Sequence, residues 1–205
     1  MLEYQYMIEI FQIIVLIFSA IAHEYMHGWM AYRLGDPTAK NAGRLTLNPL
    51  AHLEWFGSFF LPLIMVITKM PFVFGWAKPV PYNPYNLRDR KYGEAKVAMA
   101  GPLANLIIAL FFGLLIRVLP VFNITFIGLL GVVVYINLIL MVFNLIPIPP
   151  LDGSKILAVF LSPRLRERYL GNERAGFIFI ILFVMLAGSL IIPVVNFLFR
   201  LIVGN

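Results

Sequence analysis

Three runs without a single charged residue constrain this chain more than any other feature: residues 97–116, 118–151 and 175–199, which are 20, 34 and 25 residues long. A helix rises 1.5 Å per residue, so each run can cross roughly 30 Å of hydrocarbon. Water-soluble domains carry about 25% charged residues. Here the figure is 13%, against 61% hydrophobic residues and a mean hydropathy of +0.88. The expectation is a single all-α, polytopic membrane domain over residues 1–205, with no stretch left over for a separate extramembrane module.

The first apolar stretch, residues 9–32, ends at Arg33 and Gly35-Asp36-Pro37. Residues 1–9 hold two acids and no Lys or Arg, and no small-residue cleavage site follows the stretch, so it reads as a retained helix rather than a signal peptide. Residues 55–68, broken by Gly57 and Pro62, are short for a span and read as a re-entrant or interfacial segment. Residues 72–86, with Gly75, Pro79, Pro81 and Pro84 among Val and aromatic residues, read as a short membrane-associated β or loop region. Spans over 94–118 and 121–144 form a hairpin about Pro120, and the chain then breaks at Pro147, Pro149 and Pro150. A last apolar stretch, 175–203, contains Pro193, which predicts a kink or two shorter helices.

The net charge of +6 sits between the apolar runs. Three Lys or Arg lie in 33–55, five in 75–96 and five in 151–174, against Arg117 alone at the hairpin turn. Cytoplasmic loops carry such an excess, so all three basic loops belong on one side of a cell membrane. That parity requires residues 55–68 to enter and leave on the same face, and it puts the N-terminus outside. No basic face with interleaved aromatics appears, which excludes a nucleic-acid partner. Zero cysteines exclude disulfides, thiolate nucleophiles and cysteine metal sites.

Two of the three histidines fall in His23-Glu24-Tyr25-Met26-His27. This is H-E-x-x-H: on a helix, positions i and i+4 share a face, so both imidazoles can hold one zinc ion while the glutamate serves as base toward the water it activates. In soluble sequence the pattern is often a solvated helix face. Inside an apolar helix, two histidines and a glutamate are costly unless partnered, and a metal site is the reading that accounts for them. His23 lies ten residues before Arg33, about 15 Å below the basic surface by helical rise.

A catalytic zinc takes a third protein ligand and keeps one open position. His52, Glu54, Asp89, Glu94 and Asp152 are the candidates. Asp152 is the strongest, because it follows the prolines of Asn144-Leu145-Ile146-Pro147-Ile148-Pro149-Pro150-Leu151-Asp152-Gly153, where irregular backbone can line a cavity. An aspartate in a turn or helix N-cap is its plain alternative, and His52 is the second choice of ligand.

With those residues stand Gly43-Arg44-Leu45-Thr46-Leu47-Asn48-Pro49, Gly75-Trp76-Ala77-Lys78-Pro79-Val80-Pro81 and Ala100-Gly101-Pro102-Leu103-Ala104-Asn105. Together they make the chain closely resemble the site-two protease family of intramembrane zinc metalloproteases, in its compact form without appended sensory domains. The resemblance covers nearly the whole chain. It implies a three-helix catalytic core around one zinc ion held by His23, His27 and Asp152, with Glu24 as base and transmembrane proteins as substrates. It implies, too, that Asn144 helps hold the substrate or stabilises the oxyanion, and that His52 and Asn105 support the site. One departure is visible: compact members often read His-x-Asp-Pro-Phe-Gly where this chain has His52-Leu53-Glu54-Trp55-Phe56-Gly57.

Two other readings use the same residues. A zinc transporter would show polar ligands along a path and an inverted repeat, whereas one cluster and no repeat are present; a non-proteolytic scaffold shares the cluster. A prenyl-protein peptidase or lipid hydrolase would use the same zinc and water on another substrate. Gly28, Gly113, Gly128 and Gly131, with Gly101, are read as close helix packing.

Overall fold

In the computed structural model, which describes residues 2–52, 60, 64, 67, 78–120, 123–171 and 190–204, the chain is a helical membrane protein without a strand among those residues. The first helix, α1 (Leu2–Arg33), runs 32 residues with no Gly or Pro before Gly28. A one-turn helix, α2 (Thr38–Asn41), follows, and single 3-10 turns form at Pro49–Ala51 and Pro84–Asn86. Two long helices come next, α3 (Gly93–Val118) and α4 (Ile124–Asn144). Asn123 starts α4, its side-chain oxygen accepting from Thr125 N at 2.8 Å and Phe126 N at 3.2 Å, which satisfies two otherwise unpaired donors. Short helices α5 (Asp152–Ala158) and α6 (Pro163–Leu170) lead on, and α7 (Leu190–Val203) ends the described chain.

Residues 6–33 of α1, all of α3 and all of α4 are long and apolar enough to cross a membrane. This is a multi-pass membrane protein. Helix α3 is the centre: α1, α4 and α5 all pack on it. Its buried positions are small, among them Ala98, Ala100, Gly101, Ala104 and Ala109, which lets neighbouring backbones come close where lipid offers no hydrophobic drive to association. Toward one end, Ala109 meets Val134, Leu138 and Met141 of α4 and Val195 and Ile202 of α7. Ile10, Ile13, Phe18, Phe111, Leu114 and Phe197 point outward, as a lipid-facing surface requires.

At the other end the chain turns tightly. A Cβ on Gly153 would lie 2.2 Å from the Leu145 carbonyl oxygen, so only glycine lets the first turn of α5 press against the chain leaving α4. That contact carries Asp152 back toward α1.

The helical spans expected over 94–118 and 121–144 form within three residues of those bounds, and the first helix begins earlier than residue 9. All but residues 60, 64 and 67 of the expected re-entrant segment, and residues 72–77 of the expected β or loop region, lie outside the described residues; residues 78–86 are loop with one 3-10 turn. The first part of the final apolar stretch lies outside them too; its described part is the helix α7, with Pro193 near the start of that part.

Candidate metal centre

Four helices and one loop converge near the basic end of the bundle. His23 and His27, one turn apart on α1, are both buried and present their Nε2 atoms on one side. Their rings stand edge to face, with centroids 4.6 Å apart. Asp152, at the start of α5, brings Oδ2 to 3.0 Å from His23 Nε2 and 3.1 Å from His27 Nε2. Tetrahedral zinc bound at about 2.0–2.1 Å has ligand atoms about 3.3 Å apart. Asp152 Oδ2 already stands at nearly that spacing from both imidazole nitrogens.

Two further observations fit the cluster to a metal. First, the imidazoles are oriented from behind: His23 Nδ1 donates to Asn105 Oδ1 at 2.6 Å, and His27 Nδ1 donates to the Val97 carbonyl at 2.7 Å. A nitrogen that donates leaves its ring partner with a lone pair, so both Nε2 atoms are free to coordinate. Second, a Cβ on Gly101 of α3 would lie 2.5 Å from the Nε2 of both histidines. Glycine there keeps open the space in front of the two ligand atoms. Two imidazoles and a carboxylate suit zinc as a donor set.

Glu24 stands beside the cradle, with its possible ligand atom, like those of His23 and His27, inside a group spanning 4.8 Å. One carboxylate oxygen, Oε2, accepts from the backbone N–H of Val80 at 2.9 Å. The segment 78–82 thus lies against the site. Its hold is Arg44, whose guanidinium donates to the carbonyls of Ala51 and, at 3.0 Å, Lys78, while Lys78 N donates to the His52 carbonyl at 2.9 Å.

A cavity of about 160 Å³ opens at the cluster, walled by His23, Glu24, His27, Asn144, Asp152 and Lys155 among others. Asn144, at the end of α4, is half-buried in that wall, and its Nδ2 donates back to the Leu140 carbonyl at 2.9 Å. His52 is buried but stands off the cavity: its Nε2 donates to the Thr46 carbonyl at 2.7 Å, and its backbone carries the contact to Lys78. The structure therefore brings together His23, Glu24, His27, Asp152, Asn144 and Asn105, and puts His52 one layer behind.

Several residues here carry little sequence signal: Gly101 reads as a packing glycine, and nothing in the local sequence marks Ser19, Asn137, or Tyr82 and Lys155 of the cavity wall. For Asn137 the one signal is general, since an amide inside a 34-residue uncharged run needs a partner.

The sequence pattern of peptidase family M50 matches residues 116–189, a stretch that includes Asn144 and Asp152. The chain is 39% identical over 194 residues to YwhC of Bacillus subtilis strain 168, a zinc metalloprotease by name, an alignment covering 90% of this chain and 85% of that protein. The chain belongs to peptidase family M50, the site-two protease family. It is also 34% identical over 157 residues to MJ0611 of Methanocaldococcus jannaschii, again a zinc metalloprotease by name, covering 72% of each chain. It is 31% identical over 170 residues to Rip2 of Mycolicibacterium smegmatis, covering 80% of this chain and 62% of that one. No solved structure matches it.

Proposed function

We propose that this M50 peptidase is an intramembrane-cleaving zinc endopeptidase that hydrolyses peptide bonds within or near the transmembrane segments of other proteins. The observation that carries the reading is the approach of Asp152 Oδ2 to within 3.1 Å of both His23 Nε2 and His27 Nε2, the two histidines standing on a helix long and apolar enough to cross a bilayer. Zinc held there polarises a carbonyl and lowers the pKa of water toward about 7. The residues around it do the rest.

Glu24 accepts the proton of the attacking water and delivers it to the leaving amide nitrogen. Its Oε2 is occupied by the Val80 N–H, which fixes the carboxylate plane and leaves Oε1 for the proton. Asn144 offers an amide at the cavity wall to the substrate backbone or to the oxyanion, where one such donor is worth about 2.7–4 kcal/mol. A substrate helix hides its carbonyls in its own hydrogen bonds, so it unwinds before it reacts, and helix-weakening residues near the cleavage point favour it. The extended segment 78–82 beside Glu24 is placed to pair with the unwound peptide as an added strand.

The site sits at the end of the bundle that carries Arg33, Arg44, Lys96, Lys155 and Arg166, while Arg117 lies at the other. The positive-inside rule makes that end cytoplasmic and places the N-terminus outside.

The test is cleavage of a panel of single-span membrane substrates by detergent-solubilised wild type and Glu24→Gln, with zinc measured on both. Cleavage within the apolar segment by wild type alone, at equal zinc content, supports the proposal. Equal zinc and no cleavage by either, across a broad panel, favours a scaffold or transport protein.

A further inference from the structure

Asparagine in an apolar span is costly unless held. Yet Asn105 of α3 and Asn137 of α4 are both fully buried, and Ser19 of α1 is buried beside them. Asn105 Nδ2 donates to Asn137 Oδ1 at 2.9 Å and to the Ser19 carbonyl at 3.3 Å. Asn137 Nδ2 donates to the Val133 carbonyl and to Ser19 Oγ, both at 2.9 Å. Each amide nitrogen carries two hydrogens, and each meets two acceptors.

This chain of hydrogen bonds has a direction, and the backbone sets it. A carbonyl oxygen can only accept. The Val133 carbonyl therefore turns the Asn137 NH2 toward itself, which turns Asn137 Oδ1 toward Asn105. The Ser19 carbonyl acts on Asn105 in the same sense. Asn105 is left facing His23 Nδ1 with its oxygen, 2.6 Å away, so Nδ1 must carry the hydrogen and Nε2 must carry the lone pair. His27 reaches the same state in one step, through the Val97 carbonyl.

We propose that Asn137, acting through Asn105, is a positioning residue that fixes the tautomer and ring orientation of His23 for the metal. The proposal deepens the metal-centre reading and rests on it. Groups behind a metal ligand typically change metal affinity about 10–100-fold when removed.

Two substitutions separate this role from helix packing. Asn137→Leu fills the space but leaves Asn105 only the long bond to the Ser19 carbonyl at 3.3 Å, so the amide of Asn105 is held weakly and can flip. Asn137→Asp, charged or protonated, still offers Asn105 an acceptor oxygen. As mere packing in a span, Asp is far worse than Leu; as a positioning residue it is better.

The experiment is zinc affinity of the full chain in detergent, by competition with a chelating indicator, for wild type, Asn137→Leu, Asn137→Asp and His23→Ala. Thermal melts and the histidine nitrogen NMR shifts are recorded on the zinc-free proteins. The expected result is about 10–100-fold weaker zinc binding for Asn137→Leu and a change within about threefold for Asn137→Asp. The NMR shifts should show His23 as the Nδ1–H form in wild type and mixed in Asn137→Leu. Wild-type affinity in Asn137→Leu, or an equal loss in both Asn137 variants, overturns the proposal and leaves the metal centre standing. Equal affinity of wild type and His23→Ala overturns the metal centre itself, and the proposal with it. If Asn137→Leu gives no folded protein, Asn137→Ala takes its place with the same expectation.

Discussion

Gly101 faces His27 so closely that a single methyl group on its Cα would come within 2.5 Å of the imidazole Nε2. The same methyl would stand equally close to His23. A helix backbone of α3 thus forms the floor of the metal cradle, and the absence of a side chain is the feature that matters.

Gly101→Ala should therefore weaken zinc binding while the bundle still assembles. Forcing a methyl into a packed site costs typically 1–3 kcal/mol, which is roughly a 5- to 150-fold loss of affinity. Zinc content after dialysis against a graded chelator measures it. Wild-type retention of zinc would mean that the metal, or α3, sits elsewhere.

Metal binding should also appear as stability, because the proposed ligands are far apart in the sequence. His23 and His27 lie on α1 and Asp152 on α5, and only the folded chain brings them together. At a free zinc concentration of about 100 times Kd, folding gains about 2.7 kcal/mol. Thermal melts with zinc and with chelator should differ for wild type and coincide for Asp152→Ala. A zinc shift that survives in Asp152→Ala would remove the aspartate from the ligand set.

The division between what the sequence shows and what it hides follows chemistry and distance. His23, Glu24 and His27 are legible because i, i+4 spacing is a helix property. Asp152 is narrower to read, since the prolines before it mark irregular backbone but say nothing of where the aspartate points. Gly101 and Asn137 are silent because their roles depend on which helices cross at which level. A glycine that leaves room for a metal looks, in sequence, like one that leaves room for a neighbour. The spans of α3 and α4 are legible from uncharged length alone, whereas the path of residues 78–82 past Glu24 depends on long-range bonds from Arg44 and His52.

Asp36 predicts an acid-sensitive clasp outside the spans. It is fully buried, yet its carboxylate accepts from Thr38 Oγ1 at 2.6 Å, Asn83 N at 2.6 Å and Asn86 Nδ2 at 2.8 Å. Burial alone would raise its pKa; the donors of Thr38, Asn86 and Asn83 outweigh that and hold it below the ordinary carboxylate value. A lowered folded-state pKa means stability that is present above the unfolded value, about 3.9, and lost as pH falls through the folded one. Asp36→Asn should be less stable than wild type at neutral pH by about 1.5–3 kcal/mol, the worth of a bond to a charged group. The gap should close as pH drops below the ordinary carboxylate pKa. Melting curves across pH check this, and a gap constant with pH would rule out the ionised carboxylate as its cause.

Arg44 predicts a loss of rate without a loss of metal. Its guanidinium bridges the Ala51 and Lys78 carbonyls, and the segment it anchors supplies the Val80 N–H that holds Glu24. No ligand atom of the cradle touches it, so Arg44→Ala should keep wild-type zinc content. Glu24, no longer fixed in plane, should lose alignment, and misplacement of about 1 Å can cost 10²-fold; a fall of roughly 10- to 100-fold in kcat is expected. Arg44→Lys should recover little, because a single ammonium lacks the planar fork that reaches two carbonyls at once. Cleavage rates and zinc content measured side by side decide it: full activity in Arg44→Lys would show that charge alone is needed. Zinc loss in Arg44→Ala would show that the loop supports the ligands rather than the base.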